Sequence, residues 1–140
     1  MSNEKGMSVP EDLLYTHDHE WIKVIDDNGN DKYGLCGITD HAQHSLGDMV
    51  FVEFVAAENS NIMEREAVAI VESPKAASDV FSPVKGKITA VNREVEDAPE
   101  LINRSPYGEG WLFKIEIADK GDLGSLLKPA EYMKLIKEGN

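Results

Sequence analysis

The chain has 140 residues, enough for one compact domain that buries roughly two thirds of the surface its unfolded form exposes. Its 14 Lys and Arg against 26 Asp and Glu leave a net charge of −12, which excludes a nucleic-acid partner, because neutralising phosphates needs clustered basic residues. No apolar run approaches the ~20 residues of a membrane helix, and the single cysteine, Cys36, excludes an internal disulfide and a cysteine-based metal site.

Residues 1–12 are polar and without periodicity, and read as a flexible tail ahead of a single domain over 13–140. The opening lacks the apolar core of a secretory signal and the Arg-rich pattern of a transit peptide. The expected location is cytoplasmic, or the mitochondrial matrix for a processed eukaryotic chain. "EWIKVI" (20–25) reads as a strand, and "DDNGNDK" (26–32) as a tight turn on its Asn-Gly pair, leading by a hairpin into "YGLCGI" (33–38). "TDHAQHSLGD" (39–48) predicts a short helix capped by Thr39, with Asp40 in its first turn and Gly47 as a left-handed stop.

Further strands are predicted over 48–54, 66–72, 78–84 and 86–92, spaced by turn residues as in a small sandwich or barrel. "GDMVFVEF" (47–54) and "GKITAVN" (86–92) echo each other weakly, as two similar halves would. "APELINRSPYGEG" (98–110) holds at most one helical turn. "WLFKIEI" (111–117) is a strand with Trp111, Phe113, Ile115 and Ile117 on one face. The tail "PAEYMKLIKEG" (129–139) predicts a helix opening at Pro129, with Tyr132, Met133, Leu135 and Ile136 as its apolar stripe. The fold is mainly β, closed by a C-terminal helix.

One lysine stands out. In "VESPKAASDVFSP" (71–83), Pro74 sets the backbone for the second position of a type I or II turn and leaves Lys75 at the apex, directed into water. Ala76 and Ala77 leave it accessible to a modifying enzyme, and Glu72 and Asp79 flank the tip as acidic handles for recognition. A Schiff-base lysine needs burial or a neighbouring cation, so Lys75 is poorly suited to chemistry of its own and well suited to covalent attachment of a carried group.

"ESPKAASDVFSPVKG" resembles the lipoyl-lysine segment of the H-protein family of the glycine cleavage system, whose pattern is close to Glu-Ser-x-Lys-Ala-x-Ser-Asp, then an aromatic residue and a Ser-Pro or Ala-Pro pair. "HEW" (19–21), "GITDHAQHSLGDMVFVE" (37–53), "VNREVEDAPELINRSPYGEGWLFKI" (91–115) and "AEYMKLI" (130–136) match the same family in order and spacing. The resemblance implies a lipoyl/biotinyl-type flattened β-barrel, a hybrid of two-sheet sandwich and barrel, with short helices. It implies a carrier without catalytic residues, expected to be a monomer, with lipoate in amide linkage on Lys75. Glu72, Ser73, Ala76 and Asp79 would be read by a lipoate ligase or lipoyltransferase. The implied partners are the pyridoxal-phosphate glycine decarboxylase (P protein), the tetrahydrofolate-dependent aminomethyltransferase (T protein) and dihydrolipoamide dehydrogenase (L protein). The "HEW" strand would line the cleft into which the loaded arm folds, with Glu20 the first carboxylate facing the carried amine and Asp79 the second.

The chain departs from that family at Pro74, where an aliphatic residue is usual, at Asn59 and Arg65, where glycines are common, and at Lys85, where serine is usual. Asn tolerates a left-handed backbone; Arg65 has no such excuse. A biotin carrier would show Met on both sides of its lysine, and the lipoyl domain of a 2-oxoacid dehydrogenase an Asp-Lys-Ala motif without the "HEW" strand or the terminal helix. A lipoyl-relay role shares every feature of the carrier. His17 with His19, and His41 with His44, are spaced to share faces as zinc ligands do, yet no cysteine completes a set and they read as structural or solvated. Met49, Met63 and Met133 read as core fillers.

Overall fold

The computed structural model describes residues 7–27 and 30–139. Its strands in chain order are β1 (Leu14–Tyr15), β2 (Glu20–Asp27), β3 (Asn30–Ile38), β4 (Phe51–Phe54), β5 (Asn61–Ile62), β6 (Ala67–Ser73), β7 (Ala76–Phe81), β8 (Gly86–Val91) and β9 (Phe113–Ile117). Four short helices join them: α1 (Asp40–Leu46), α2 (Glu94–Asp97), α3 (Glu100–Arg104) and α4 (Pro129–Lys137), with a 3-10 turn over Lys120–Ser125. One sheet has the order β1-β2-β3-β9-β8-β5 and the other β4-β6-β7, with antiparallel pairing throughout. The expected two-sheet β architecture is thus present as a sandwich of a wide and a narrow sheet.

Alternation decides which side chains lie between the sheets. Val52, Val71 and Val80 of the narrow sheet form one buried cluster with Ile22, Cys36, Ile88, Phe113 and Ile115 of the wide one. Each fully buried aliphatic side chain of this kind stabilises the fold by about 1.5–3 kcal/mol as an upper figure. Gly86 starts β8 where a Cβ would run into the Glu116 carbonyl oxygen, so a strand position that would otherwise favour a side chain is restricted to glycine.

The observed boundaries differ from the predicted ones for local reasons. The strand expected from 48 begins at Phe51, because Gly47, at φ 89°, is still turning out of α1. The strand expected over 78–84 covers Ala76–Phe81; Ser82 still bonds through its backbone to Arg65 and Glu66, and the chain turns at Pro83, where the Ser82 hydroxyl donates to the Val84 carbonyl. The strand expected from 111 begins at Phe113; Trp111 is still bonded into a turn through its N–H to the Gly108 carbonyl and packs in a separate cluster. The short helix α3 is the single turn expected within 98–110, whereas α2, just ahead of that stretch, and the two-residue β5 have no counterpart in the prediction. β2 and β3 pair as the hairpin reading requires, while its Asn28-Gly29 tip lies outside the described residues.

The tail expected to end at residue 12 is corrected over its described part. Met7 and Val9 are buried, the Ser8 N–H donates to Asp40, and the Tyr107 hydroxyl donates to the Ser8 carbonyl. Val9, Leu13, Tyr15, Trp21, Tyr132 and Ile136 form a second buried cluster, with the Tyr15 and Tyr132 rings stacked at 4.5 Å. Polarity hid this because only two apolar residues anchor the segment, too few to produce a period. Of the three methionines expected as fillers, Met49 is buried and Met133 packs on the second cluster, but Met63 is 57% exposed.

Candidate functional site

β6 and β7 are joined by two residues, Pro74 and Lys75, with Ser73 opposite Ala76. Proline fixes φ near −65°, which rules out the primed turns that two-residue hairpins prefer, and Lys75 is not among the residues with positive φ, which rules out type II. A type I turn remains, a geometry that splays the strands it joins. Ser73 counters the splay: its hydroxyl accepts from the Ala76 N–H at 3.2 Å and donates to the Ala76 carbonyl at 3.4 Å. Lys75 is therefore exposed at the end of a tied hairpin, and among the described residues its ammonium has no ion-pair partner.

Lys75 leans over the end of α1, where a Cβ built on Gly47 would lie 3.9 Å from its Cε. That platform is held by Asn103 of α3, which prediction overlooked. Its amide nitrogen donates to the Gly47 carbonyl and the Gln43 side chain, each at 2.9 Å, and its oxygen accepts from the Met49 N–H at 2.8 Å. An asparagine in a short helix carries no sequence signal for such a role; only the close approach of α1 and α3 reveals it.

The four residues expected to guide lipoylation separate into two sets. Register places Glu72 opposite Phe51 and Ala77, and Asp79 opposite Ile70, itself opposite Glu53. Glu72, Asp79 and Glu53 thus share the outer face of the narrow sheet, on which Phe51 is 48% exposed. Ala76 is exposed beside the tip. Ser73 is 8% exposed and occupied by the turn, which makes it a poor point of contact for another protein.

Glu20 opens β2 and is 2% exposed. Its carboxylate accepts from the Thr16 hydroxyl at 2.6 Å and from the Phe81 N–H at 3.0 Å, which joins the wide sheet to the outer strand of the narrow one. Burial raises its carboxyl to about 7, against the two hydrogen bonds and the Arg65 charge, which favour the ionised form. The carboxylate reaches a cavity of about 130 Å³ that Thr16, His17, Glu64, Arg65 and Ser82 also line. Neither Lys75 nor Asp79 lines it. Phe81 is at the far end of β7 from Lys75, roughly 20 Å of strand rise away, so only an arm lengthened by acylation approaches Glu20.

Asn59 and Arg65, singled out as departures, both have left-handed backbones, at φ 69° and 67°. His19 does too, at φ 70°, without any warning in the sequence. Its Nδ1 is 2.8 Å from the Tyr132 hydroxyl, which is 2.7 Å from Thr39 Oγ1, and its ring tilts against His41. Burial, with His41 beside it, lowers His19 to about 4. His19 therefore meets His41 across elements. Among the described residues no group of three or more His, Cys, Asp or Glu side chains converges as metal ligands do.

A family model described as glycine cleavage H-protein matches residues 13–139. The glycine cleavage system H protein of Carboxydothermus hydrogenoformans is 48% identical over 130 residues, covering 93% of this chain and 95% of its own. That of Photorhabdus laumondii is 49% identical over 131 residues, covering 94% and 97%. A crystal structure of a glycine cleavage system H protein from Mycobacterium marinum superposes with a TM-score of 0.82 at 35% identity, over 92% of this chain and 99% of that one.

Proposed function

Since the chain belongs to the glycine cleavage H-protein family, whose role is that of a lipoyl carrier in glycine cleavage, we propose that Lys75 is its lipoyl attachment site and that the protein itself is non-catalytic. The observation that carries this reading is an exposed lysine at the apex of a two-residue turn tied by Ser73. An amide-forming group needs an accessible amine with little bulk around it, and Ala76 and Ala77, both exposed, meet that need. The bound group would supply a dithiol that accepts an aminomethyl group and is afterwards reoxidised; the protein supplies position and protection.

The glycine decarboxylase, the aminomethyltransferase and dihydrolipoamide dehydrogenase are the partners the family implies. Glu72 and Asp79, with Glu53, form an acidic outer face suited to a basic docking surface on the lipoylating enzyme. Glu20, in its cavity, is suited to hold a cationic amine, since a carboxylate beside an amine favours the charged form and withholds the lone pair that would expel the sulfur. Asp79 stands on the exposed outer face rather than in that cavity, so the support for it lies with recognition more than with the cleft.

Intact mass after coexpression with a lipoate ligase tests the attachment. Wild type gains one lipoyl mass, mapped to Lys75, and Lys75→Arg gains none. Lipoate found on Lys85 or Lys87, or a modified Lys75→Arg protein, overturns the assignment.

A further inference from the structure

Arg65 holds a left-handed backbone that favours glycine, and the residue is committed at three points, one through its backbone amide and two through its side chain. Its N–H donates to the Ser82 carbonyl at 2.9 Å, its guanidinium is 6.0 Å from the centre of the Phe81 ring, and its Nη2 is 2.8 Å from Asp18 Oδ2. Phe81 is also the residue whose amide binds Glu20, so Arg65 and Glu20 meet on one residue at one cavity. Of the residues lining that cavity, Arg65 is the one Arg or Lys, against Glu20 and Glu64, with Asp18 behind the guanidinium. Other titratable neighbours are Tyr15 and His17, which line the cavity, and Cys36 and Tyr132, both of which feel the Glu20 charge.

We infer that Arg65 is a positioning residue of this carrier, the resident counter-ion of the Glu20 cavity, standing beside Asp18 where a primary alkylammonium would otherwise find two carboxylates. This rests on the reading that the loaded arm reaches Glu20. A guanidinium is planar, permanently charged and weakly hydrated, so it competes well with an alkylammonium for carboxylates. Cargo held in its presence is held more loosely. Loss of the cargo is a hydrolysis without redox change: one water is consumed, the carbon–sulfur bond breaks, the sulfur keeps the electron pair and gains a proton, and formaldehyde and ammonia leave. Only the unprotonated amine is lost this way.

Two readouts test the inference on wild type, Arg65→Gly, Arg65→Asn, Arg65→Lys and Glu20→Gln. The first is the carboxyl carbon shift of Glu20 against pH in the unlipoylated protein, read by NMR in all but Glu20→Gln. The second is ammonia release from aminomethyl-loaded protein held without partner enzymes. In Arg65→Gly and Arg65→Asn the Glu20 midpoint rises by a few tenths of a pH unit, and ammonia release slows about two- to fivefold, the scale of a partly exposed ion pair. Arg65→Lys keeps the charge and stays near wild type in both. Agreement between Gly and Asn separates loss of charge from relief of the backbone; if they disagree and Asn matches wild type, the counter-ion role is wrong. Unchanged midpoint and release in both neutral variants, with faster release in Glu20→Gln, also overturns it while leaving the cleft reading intact. If Glu20→Gln releases ammonia no faster than wild type, the cleft reading falls and the role of Arg65 with it.

Discussion

Glu20→Gln makes the buried carboxylate visible in stability without any cofactor. The folded protein raises Glu20 from 4.5 to about 7, so between those values the folded state binds more protons than the unfolded chain. Stability from this group is fully present below pH 4.5 and is lost as pH rises through 7. The loss integrates to about 3 kcal/mol at most. His19 acts with the opposite sign: its folded value of about 4 against 6.5 means that the unfolded chain binds more protons in that window, and stability rises with pH there. Because His19 is half-buried, its contribution is discounted to about 1–2 kcal/mol. In wild type the two partly cancel between pH 4.5 and 6.5, giving a shallow decline. Glutamine keeps an acceptor for the Phe81 N–H but cannot titrate, so the variant retains only the rising His19 limb. Urea unfolding at pH 4.5, 5.5, 6.5 and 7.5 at constant ionic strength reads the difference. The variant gains on wild type by about 2–3 kcal/mol across that range, whatever constant offset the lost Thr16 bond adds. Parallel profiles for the two proteins would refute the reasoning, since they mean that Glu20 titrates alike in folded and unfolded chains.

Gly86→Ala drives a Cβ into the Glu116 carbonyl oxygen at the β8–β9 pair, so chemical denaturation should show a loss of about 1–3 kcal/mol; an unchanged midpoint means that the strands part freely there. Asn103→Ala leaves the Met49 N–H and the Gly47 carbonyl without their partner, at about 1–3 kcal/mol, and hydrogen exchange at Met49 should quicken more than at β9 amides. In a time course of lipoylation, Pro74→Val stays close to wild type because valine also allows the type I path, whereas Glu72→Lys is slowed at least severalfold by reversing a charge on the outer face; equal rates for Glu72→Lys and wild type remove Glu72 from recognition.

The elements that sequence located well are those whose signal is local. Thr39 accepts from the Ala42 N–H and Gly47 turns left-handed at the end of α1, as side-chain chemistry and glycine freedom predict. Pro74 and Lys75 occupy the turn positions read from the proline alone. The strand ends were displaced wherever a distant partner competes, as at Trp111, which packs with the terminal cluster instead of extending β9. The site divides the same way. Lys75 was legible because a turn is local, while the placement of Asp79 was not, because the face a strand residue presents depends on register. Ser73 was read as a recognition residue and is occupied by the turn itself. Asn103 had no signal at all, and His19 was read only as structural or solvated, since each acquires its particular contacts between elements far apart in the chain.

Under the proposed function, one short strand of the narrow sheet serves both ends of the carrier's task. β7 starts beside Lys75 and ends at Phe81, whose amide is fixed on Glu20 of the wide sheet. A strand has a nearly constant rise per residue, so the number of residues in β7 sets the span between Lys75 and the cavity, and the ladder to β6 holds it in register from Ala76 to Val80, up to the bulge between Ala67 and Ala69. An outer strand left with open amides invites pairing with another chain. Here the Glu20 carboxylate takes one of those amides, so the same contact that sets the span also blocks part of the edge. A buried carboxylate is costly unless hydrogen-bonded, and the bonds from Thr16 and Phe81 offset part of that cost while leaving Glu20 open to the cavity. The fold thus tolerates at Glu20 a group that titrates near neutrality because joining the two sheets requires an acceptor there, and that acceptor is then at hand for a cation.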